Sequence, residues 1–213
     1  MKNAILCLLT FTFFTTAQTQ NAQKAKTLLD EVSTKVKSYN NIEIEFKYSL
    51  TNLKEGINQD TRGDVTLQGD KYLLNMMGAT RLFDGTKLYT ISPEDEEVTI
   101  SSIGTDEEDE ITPSKMLTFY EKGYTYKWDI VQNVRGRKIQ YIHLKPIQES
   151  EVKEILLGID SETKHIYKLI QKQDNGTDIT ITVNSFKTNQ PLPKSLFSFD
   201  PSKYSSYYIN NLN

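Results

Sequence analysis

The chain has 213 residues, with 25 Lys and Arg against 28 Asp and Glu and a formal net charge of −3. That balance offers no cationic face to a polyanion, so nucleic acid is excluded as a partner. One cysteine and two histidines leave no cluster with which to hold zinc.

The first residues read as an address. Lys2 supplies a positive start, and Ala4 to Phe14 is apolar apart from Thr10 and Thr12. Thr15 and Ala17 make a small-residue cleavage site, so residues 1–17 are expected to be a secretory signal peptide, too short to span a bilayer. The mature chain is expected to start near Gln18 and to form one domain over 18–213, since about 195 residues fit a single core. Cys7 falls inside the signal, behind Ala4-Ile5-Leu6, a poor lipidation box. A mature chain without thiol, disulfide or lipid anchor, soluble outside the cytoplasm, is therefore expected.

Residues 22–39 place Ala22, Ala25, Leu28, Leu29, Val32 and Val36 on one side at helical spacing, with Lys24, Lys26, Glu31, Lys35 and Lys37 elsewhere. This predicts an amphipathic helix ended by Asn40-Asn41. The next segment, Ile42 to Leu50, alternates strictly: Ile42, Ile44, Phe46, Tyr48 and Leu50 face one way, and Glu43, Glu45, Lys47 and Ser49 the other. Period-two alternation is a strand with one apolar face.

Further strands are predicted at regular intervals: 65–67, 72–77, 82–83, 88–91, 98–103, 126–131, 139–144, 153–159, 165–171 and 178–186. Glu55-Gly56 to Asp60, Gly69-Asp70 and Asp84-Gly85 punctuate them. Asn175-Gly176 predicts a hairpin with a type I′ turn. Twelve Tyr and nine Phe, mostly on these segments, support β structure. Ten or so strands with short turns predict an antiparallel meander or barrel.

Ile111 to Tyr120 is apolar, with Pro113 positioned for a first helical turn and Thr112 or Ser114 as its cap. A short helix is predicted there. Before it lie two acidic runs, Glu94 to Glu97 and Asp106 to Glu110, expected to be solvated and mobile. Residues 202–213, rich in Tyr and Asn, carry no assignable element.

Catalytic tools are sparse. His143 and His165 lie far apart on predicted strands. No Gly-x-Ser-x-Gly elbow, His-Glu-x-x-His pair or Gly-rich phosphate loop occurs. The acidic runs lack the spacing of a calcium loop. No cofactor or metal is expected, and no enzyme activity. Paired carboxylates such as Glu43 and Glu45 keep an exported glycosidase-type hydrolase as a remote alternative.

The remaining signal is apolar surface. The candidates for an inner face are Ile44, Phe46 and Tyr48 on the first strand, then Val65, Leu67, Leu74, Met76 and Leu88. In the second half of the chain they are Tyr126, Trp128, Leu157, Leu169, Ile181 and Val183. An ordinary closed core is the plain reading of any one of these positions. Two helices, one short, are few to cover ten strands, and sparse covering predicts a cavity. Met76, Met77 and Met116 add unbranched groups that adapt to varied ligands.

The order of these segments resembles the LolA family of periplasmic outer-membrane lipoprotein carriers. The resemblance runs over roughly residues 22–200. It rests on Leu28-Leu29 with Val32 leading into Ile44-Glu45-Phe46, and on Arg62-Gly63-Asp64-Val65-Thr66-Leu67. It continues through Phe83-Asp84-Gly85-Thr86-Lys87-Leu88-Tyr89, Ile111-Thr112-Pro113-Ser114-Lys115-Met116-Leu117 and the closing Leu196-Phe197-Ser198-Phe199-Asp200-Pro201. It implies an α+β, mainly β fold: an unclosed antiparallel β-barrel with a lid of short helices over an apolar cavity that binds lipid. It implies a carrier of acylated lipoproteins in the periplasm, loaded by an inner-membrane ABC-type release complex; the outer-membrane acceptor is left open, and a monomer is expected. Val32, Val36, Met116, Leu117 and Tyr120 are the expected lid residues. The family's lid-holding arginine has no counterpart, because Gly69 stands at its place, and Lys71 or Arg81 is the candidate substitute. A periplasmic lipid-sensing regulator using the same cavity is the main alternative.

Overall fold

The structure, a computed structural model, describes residues 13–102 and 112–212. One helix, α1 (Phe13–Lys37), precedes β1 (Ile42–Asn52), β2 (Ile57–Gln68), β3 (Lys71–Met76), β4 (Ala79–Phe83), β5 (Lys87–Ser92) and β6 (Glu97–Ser102). After the segment 112–121 come β7 (Tyr124–Val134), β8 (Arg137–Pro146), β9 (Val152–Asp160), β10 (Ile166–Gln173), β11 (Asp178–Thr188) and β12 (Tyr208–Leu212). All twelve strands belong to one sheet in the order β12-β6-β5-β4-β3-β2-β1-β11-β10-β9-β8-β7. β7 and β12 are its two edges, so the barrel is unclosed, and the fold is α+β and mainly β.

Neighbouring strands are antiparallel except β12, which runs parallel to β6. Most pairings follow chain order across short turns. The exceptions are β12 beside β6 and β1 against β11, the latter with Tyr48 opposite Ile181 and Ile44 opposite Phe186.

The alternation of β1 is realised: Ile42, Ile44 and Phe46 are buried while Glu45 and Lys47 are exposed. Register carries that face across the sheet in rows. One row runs Trp128–Ile142–Leu157–Leu169–Ile181–Tyr48 through five strand pairings. A second runs Phe186–Ile44–Val65–Leu74. Cross-strand apolar neighbours of this kind are the unit that holds a sheet together.

Helix α1 covers part of this face. Ala25, Leu28, Leu29 and Val32 are buried in the same cluster as Ile142, Leu144, Ile155, Leu157 and Ile159. Its packing is against β7 and residues 119–121. The Lys24 ammonium lies 4.2 Å from the Trp128 ring centroid. The helix starts at Phe13, upstream of the expected signal junction after Ala17.

Several local expectations are corrected. The predicted helix over 111–120 is two short 3₁₀ turns, Lys115–Leu117 and Phe119–Glu121, with Thr118 at φ −136° breaking them apart. Ile111 lies outside the described residues, as does the acidic run Asp106 to Glu110. The other acidic run is not a mobile loop: Glu94 to Glu96 form the β5–β6 turn and Glu97 begins β6, with Ser92 Oγ donating to Asp95 Oδ2 at 2.6 Å.

β2 starts at Ile57 rather than after Asp60. Asn52 Oδ1 accepts from the Lys54 and Glu55 amides, so the chain turns within 53–56 and returns as a polar strand along β1. The β10–β11 turn is not type I′, because only Gly176 has positive φ, at 86°. Gly176 N donates to Gln173 O and Gln173 N to Thr177 O, a three-residue turn with its glycine in a bulge. His165 sits just before β10 instead of on it.

The unassigned tail forms β12 and an aromatic stack. Phe199 stacks on Tyr89 at 4.5 Å and on Tyr204 at 5.4 Å. Phe197 is buried outside the main cluster, as are Leu82, Ile91 and Val98.

Candidate lipid-binding site

The cavity follows from which rows the helix leaves uncovered. Inner-face side chains of β1, β2, β3, β10 and β11, with Pro113, Met116 and Leu117 across from them, line a partly open cavity of about 330 Å³. Ten of the fourteen residues expected on an inner binding face line it: Ile44, Phe46, Tyr48, Val65, Leu67, Leu74, Met76, Leu169, Ile181 and Val183. Of the expected lid residues, Met116 and Leu117 do so.

The other four inner-face residues do not line the cavity. Leu157 is fully buried among core side chains, and Tyr126 and Trp128 on β7 lie beneath the α1 side of the sheet. Leu88 lies beyond Phe83 and Tyr72, whose rings pack at 5.7 Å. Val32, Val36 and Tyr120 are part of, or packed on, the core between α1 and the sheet rather than a cover over the void.

Residues absent from the sequence-based set also line the cavity: Ile166, Gln171, Ile179, Phe186 and Pro113. Alternation could have found Ile179 from Ile181, and Gln171 from Leu169. Phe186 was hidden. β11 bulges at Asn184, so that Glu45 pairs with Ser185 but Phe46 with Val183. The extra residue flips the phase and turns Phe186 inward beside Val183.

Phe186 is backed by a polar pair. The His165 ring stacks on it at 4.0 Å, and His165 Nε2 is 2.8 Å from the Tyr39 hydroxyl beyond the end of α1. Burial holds His165 below its ordinary pKa, reinforced by Lys35 and opposed by Asp160.

The segment 112–121 is tied to α1 at its far end. Glu121 Oε1 accepts from Ser33 Oγ and from Lys37 Nζ, the latter at 2.5 Å. Those two bonds hold the Glu121 carboxyl below the usual carboxylate range against the smaller effect of burial. The Tyr126 hydroxyl donates to Tyr120 O at 2.8 Å. Neither candidate substitute for the family arginine takes this part: the Lys71 stem lies against Gly85, and Arg81 is exposed opposite Leu74. Burial pushes the Tyr120 phenol up, out of reach of ordinary titration.

Among the described residues no group of three or more His, Cys, Asp or Glu is placed to hold a metal ion. None of their helices is long and apolar enough to cross a membrane. The site's chemistry is that of a greasy, partly open pocket.

Residues 79–200 match the family described as "Outer membrane lipoprotein carrier protein LolA". The chain belongs to the LolA family. The matched stretch contains β4–β11, the segment over the cavity and the Phe197-Ser198-Phe199 closure. An uncharacterized conserved protein from Thermus thermophilus shares the fold with a TM-score of 0.57 at 9% identity, over 89% of this chain and 100% of its own. LprF from Mycobacterium bovis does so with a TM-score of 0.52 at 12% identity, over 82% of this chain and 98% of its own. No match is found among curated proteins.

Proposed function

We propose that this LolA-family chain is a periplasmic carrier that shelters lipoprotein acyl chains and moves them from the inner to the outer membrane without converting them. The observation that carries the reading is the cavity itself: an apolar void in the sheet, bounded on one side only by Pro113, Met116 and Leu117.

The volume sets the stoichiometry. A cavity of about 150 Å³ holds one benzene, so 330 Å³ accommodates roughly a dozen carbons. At about 0.8 kcal/mol per methylene, that is about 10 kcal/mol before ordering costs. This corresponds to a Kd of roughly tens of nanomolar and suits a carrier that must also release. A triacylated cargo exceeds this volume, so the carrier shelters only part of its chains unless the cover formed by Pro113, Met116 and Leu117 shifts. Such a shift is confined to residues 112–118, which carry one 3₁₀ turn, because Tyr120 is anchored in the core between α1 and the sheet.

In this reading an inner-membrane ABC-type release complex supplies the cargo and an outer-membrane acceptor takes it. The carrier acts as a monomer. Direction comes from an acceptor that binds more tightly, since a carrier only shifts between states by differential affinity. The test is gentle purification from the periplasm and mass spectrometry of bound ligand, with Ile181→Trp and Val183→Phe as cavity-filling variants. Recovered acylated peptide or phospholipid, lost in both variants, supports the carrier. An empty native protein that fails to release lipoprotein from inner-membrane vesicles overturns it.

A further inference from the structure

One inner-row position breaks the apolar pattern. Gln171 faces inward from β10 between Ile179 on β11 and Ile155 on β9, and Leu144 continues the row. Its side chain lines the cavity. Ile155 and Leu144 in the same row are buried to within 2%. Gln171 is half-buried, none of the side-chain hydrogen bonds among the described residues involves it, and its amide is not sealed from solvent. An amide at the solvent-reached edge of an apolar wall keeps water as its partner until a ligand takes that place.

Its position along the strand is informative. Gln171 lies two residues before Gln173, which closes the β10–β11 turn. Leu169, Ile166 and Phe186 follow toward the other end of the cavity, and all are apolar. An amphiphile seated with its hydrocarbon against Leu169, Ile181 and Phe186 brings its first polar atoms level with Gln171.

We propose that Gln171 is the group that reads the acyl linkage, donating from its amide nitrogen to the carbonyl oxygen where a fatty chain joins its ester or amide. This rests on the carrier reading and adds to it that the ligand is an acyl compound rather than any hydrocarbon. A glutamine suits the task because it is neutral and needs no counter-ion in an apolar wall, and its amide also offers an oxygen to an amide-linked N–H. The ligand's carbonyl takes the place of water at this amide.

The experiment measures displacement of a fluorescent apolar probe by three ligands of equal carbon number: tridecane, methyl dodecanoate and N-methyl dodecanamide. Wild type is expected to bind the two acyl compounds about five- to ten-fold more tightly than the alkane, the scale of one hydrogen bond made in a water-poor pocket. Gln171→Leu is expected to keep the alkane affinity and lose the preference. Gln171→Asn, whose amide is withdrawn by one methylene, is expected to retain only part of it. Gln171→Leu should also be no less stable than wild type, whereas a residue kept for packing or folding would leave it weaker. A preference unchanged in Gln171→Leu overturns the inference and leaves the carrier reading intact. Failure of all three ligands to displace the probe from wild type overturns both. Loss for the ester alone, or for the amide alone, identifies which linkage the amide reads.

Discussion

The ring of Phe46 lies against the bare backbone of Gly63. A Cβ placed on Gly63 would stand 2.6 Å from Phe46 Cζ and 2.8 Å from the Asn75 carbonyl oxygen. The two residues pair across β1 and β2, and Phe46 forms part of the cavity wall. The glycine in Arg62-Gly63-Asp64 is thus explained by a close approach, not by an unusual backbone angle.

Gly63→Ala is expected to destabilise the fold by about 1–3 kcal/mol, the usual range for a group forced into packed space. Phe46→Leu in the same background relieves the ring contact but leaves the clash with Asn75, so recovery should be partial. Urea unfolding measures both. An unchanged midpoint in the single variant would show that the ring and the β3 backbone yield freely.

Leu157 and Ile181 occupy the same cross-strand row, yet only Ile181 borders the void. Leu157→Ala empties a fully buried site and is expected to cost about 2–5 kcal/mol, with little change in probe binding. Ile181→Ala should cost less, toward the lower end of that range, and should enlarge the cavity and alter probe affinity. Denaturation and titration together distinguish them, and the reverse order would contradict the placement of the helix-covered and open halves.

Glu121 makes closure of the 112–121 segment sensitive to acid. Its carboxyl is depressed in the folded state by Lys37 and Ser33, so the tie is present above the ordinary carboxylate value of 4.5 and is lost as pH falls through the lower folded value. The pair is partly exposed, so its contribution to global stability is no more than about 1 kcal/mol. Glu121→Gln is expected to raise amide exchange within 112–121 at neutral pH and to abolish the acid-dependent increase. Equal exchange in variant and wild type would remove the tie from the closing mechanism.

His165 predicts a second, separate pH window. Burial lowers its pKa in the folded state, so the unfolded chain binds the proton more readily. Stability should therefore decline as pH drops from about 6.5 toward the folded value and level off below it. His165→Gln should flatten that part of the curve, and Tyr39→Phe should keep the decline, because burial, Lys35 and Asp160 set the shift. Thermal midpoints between pH 5 and 7.5 provide the measurement, and an identical slope in His165→Gln would assign the effect elsewhere.

Much of the cavity wall was legible because side-chain alternation is a local property of extended backbone. Ile44, Phe46 and Tyr48 face one way whatever lies above them, and the same logic placed Val65, Leu67, Leu169, Ile181 and Val183. Alternation also fails locally where the backbone departs from a regular strand. The bulge at Asn184 reversed the phase and hid Phe186. Thr118 split an apolar decamer, which composition alone makes helical, into two turns.

The amino-acid order by itself determined which side chains share a face, that Ala25 to Val32 form one helical stripe, and that apolar strand surface exceeds the helix available to cover it. Only the tertiary structure decided which part of that surface stays uncovered. The pairing of β1 with β11 joins residues more than a hundred positions apart, and α1 then lands on the β7 side of the sheet. Trp128 and Leu157 therefore belong to packed core while Ile181, in the same row, borders empty space. Alternation is set by neighbouring dihedral angles, whereas coverage is set by how distant segments meet, and no local pattern encodes that.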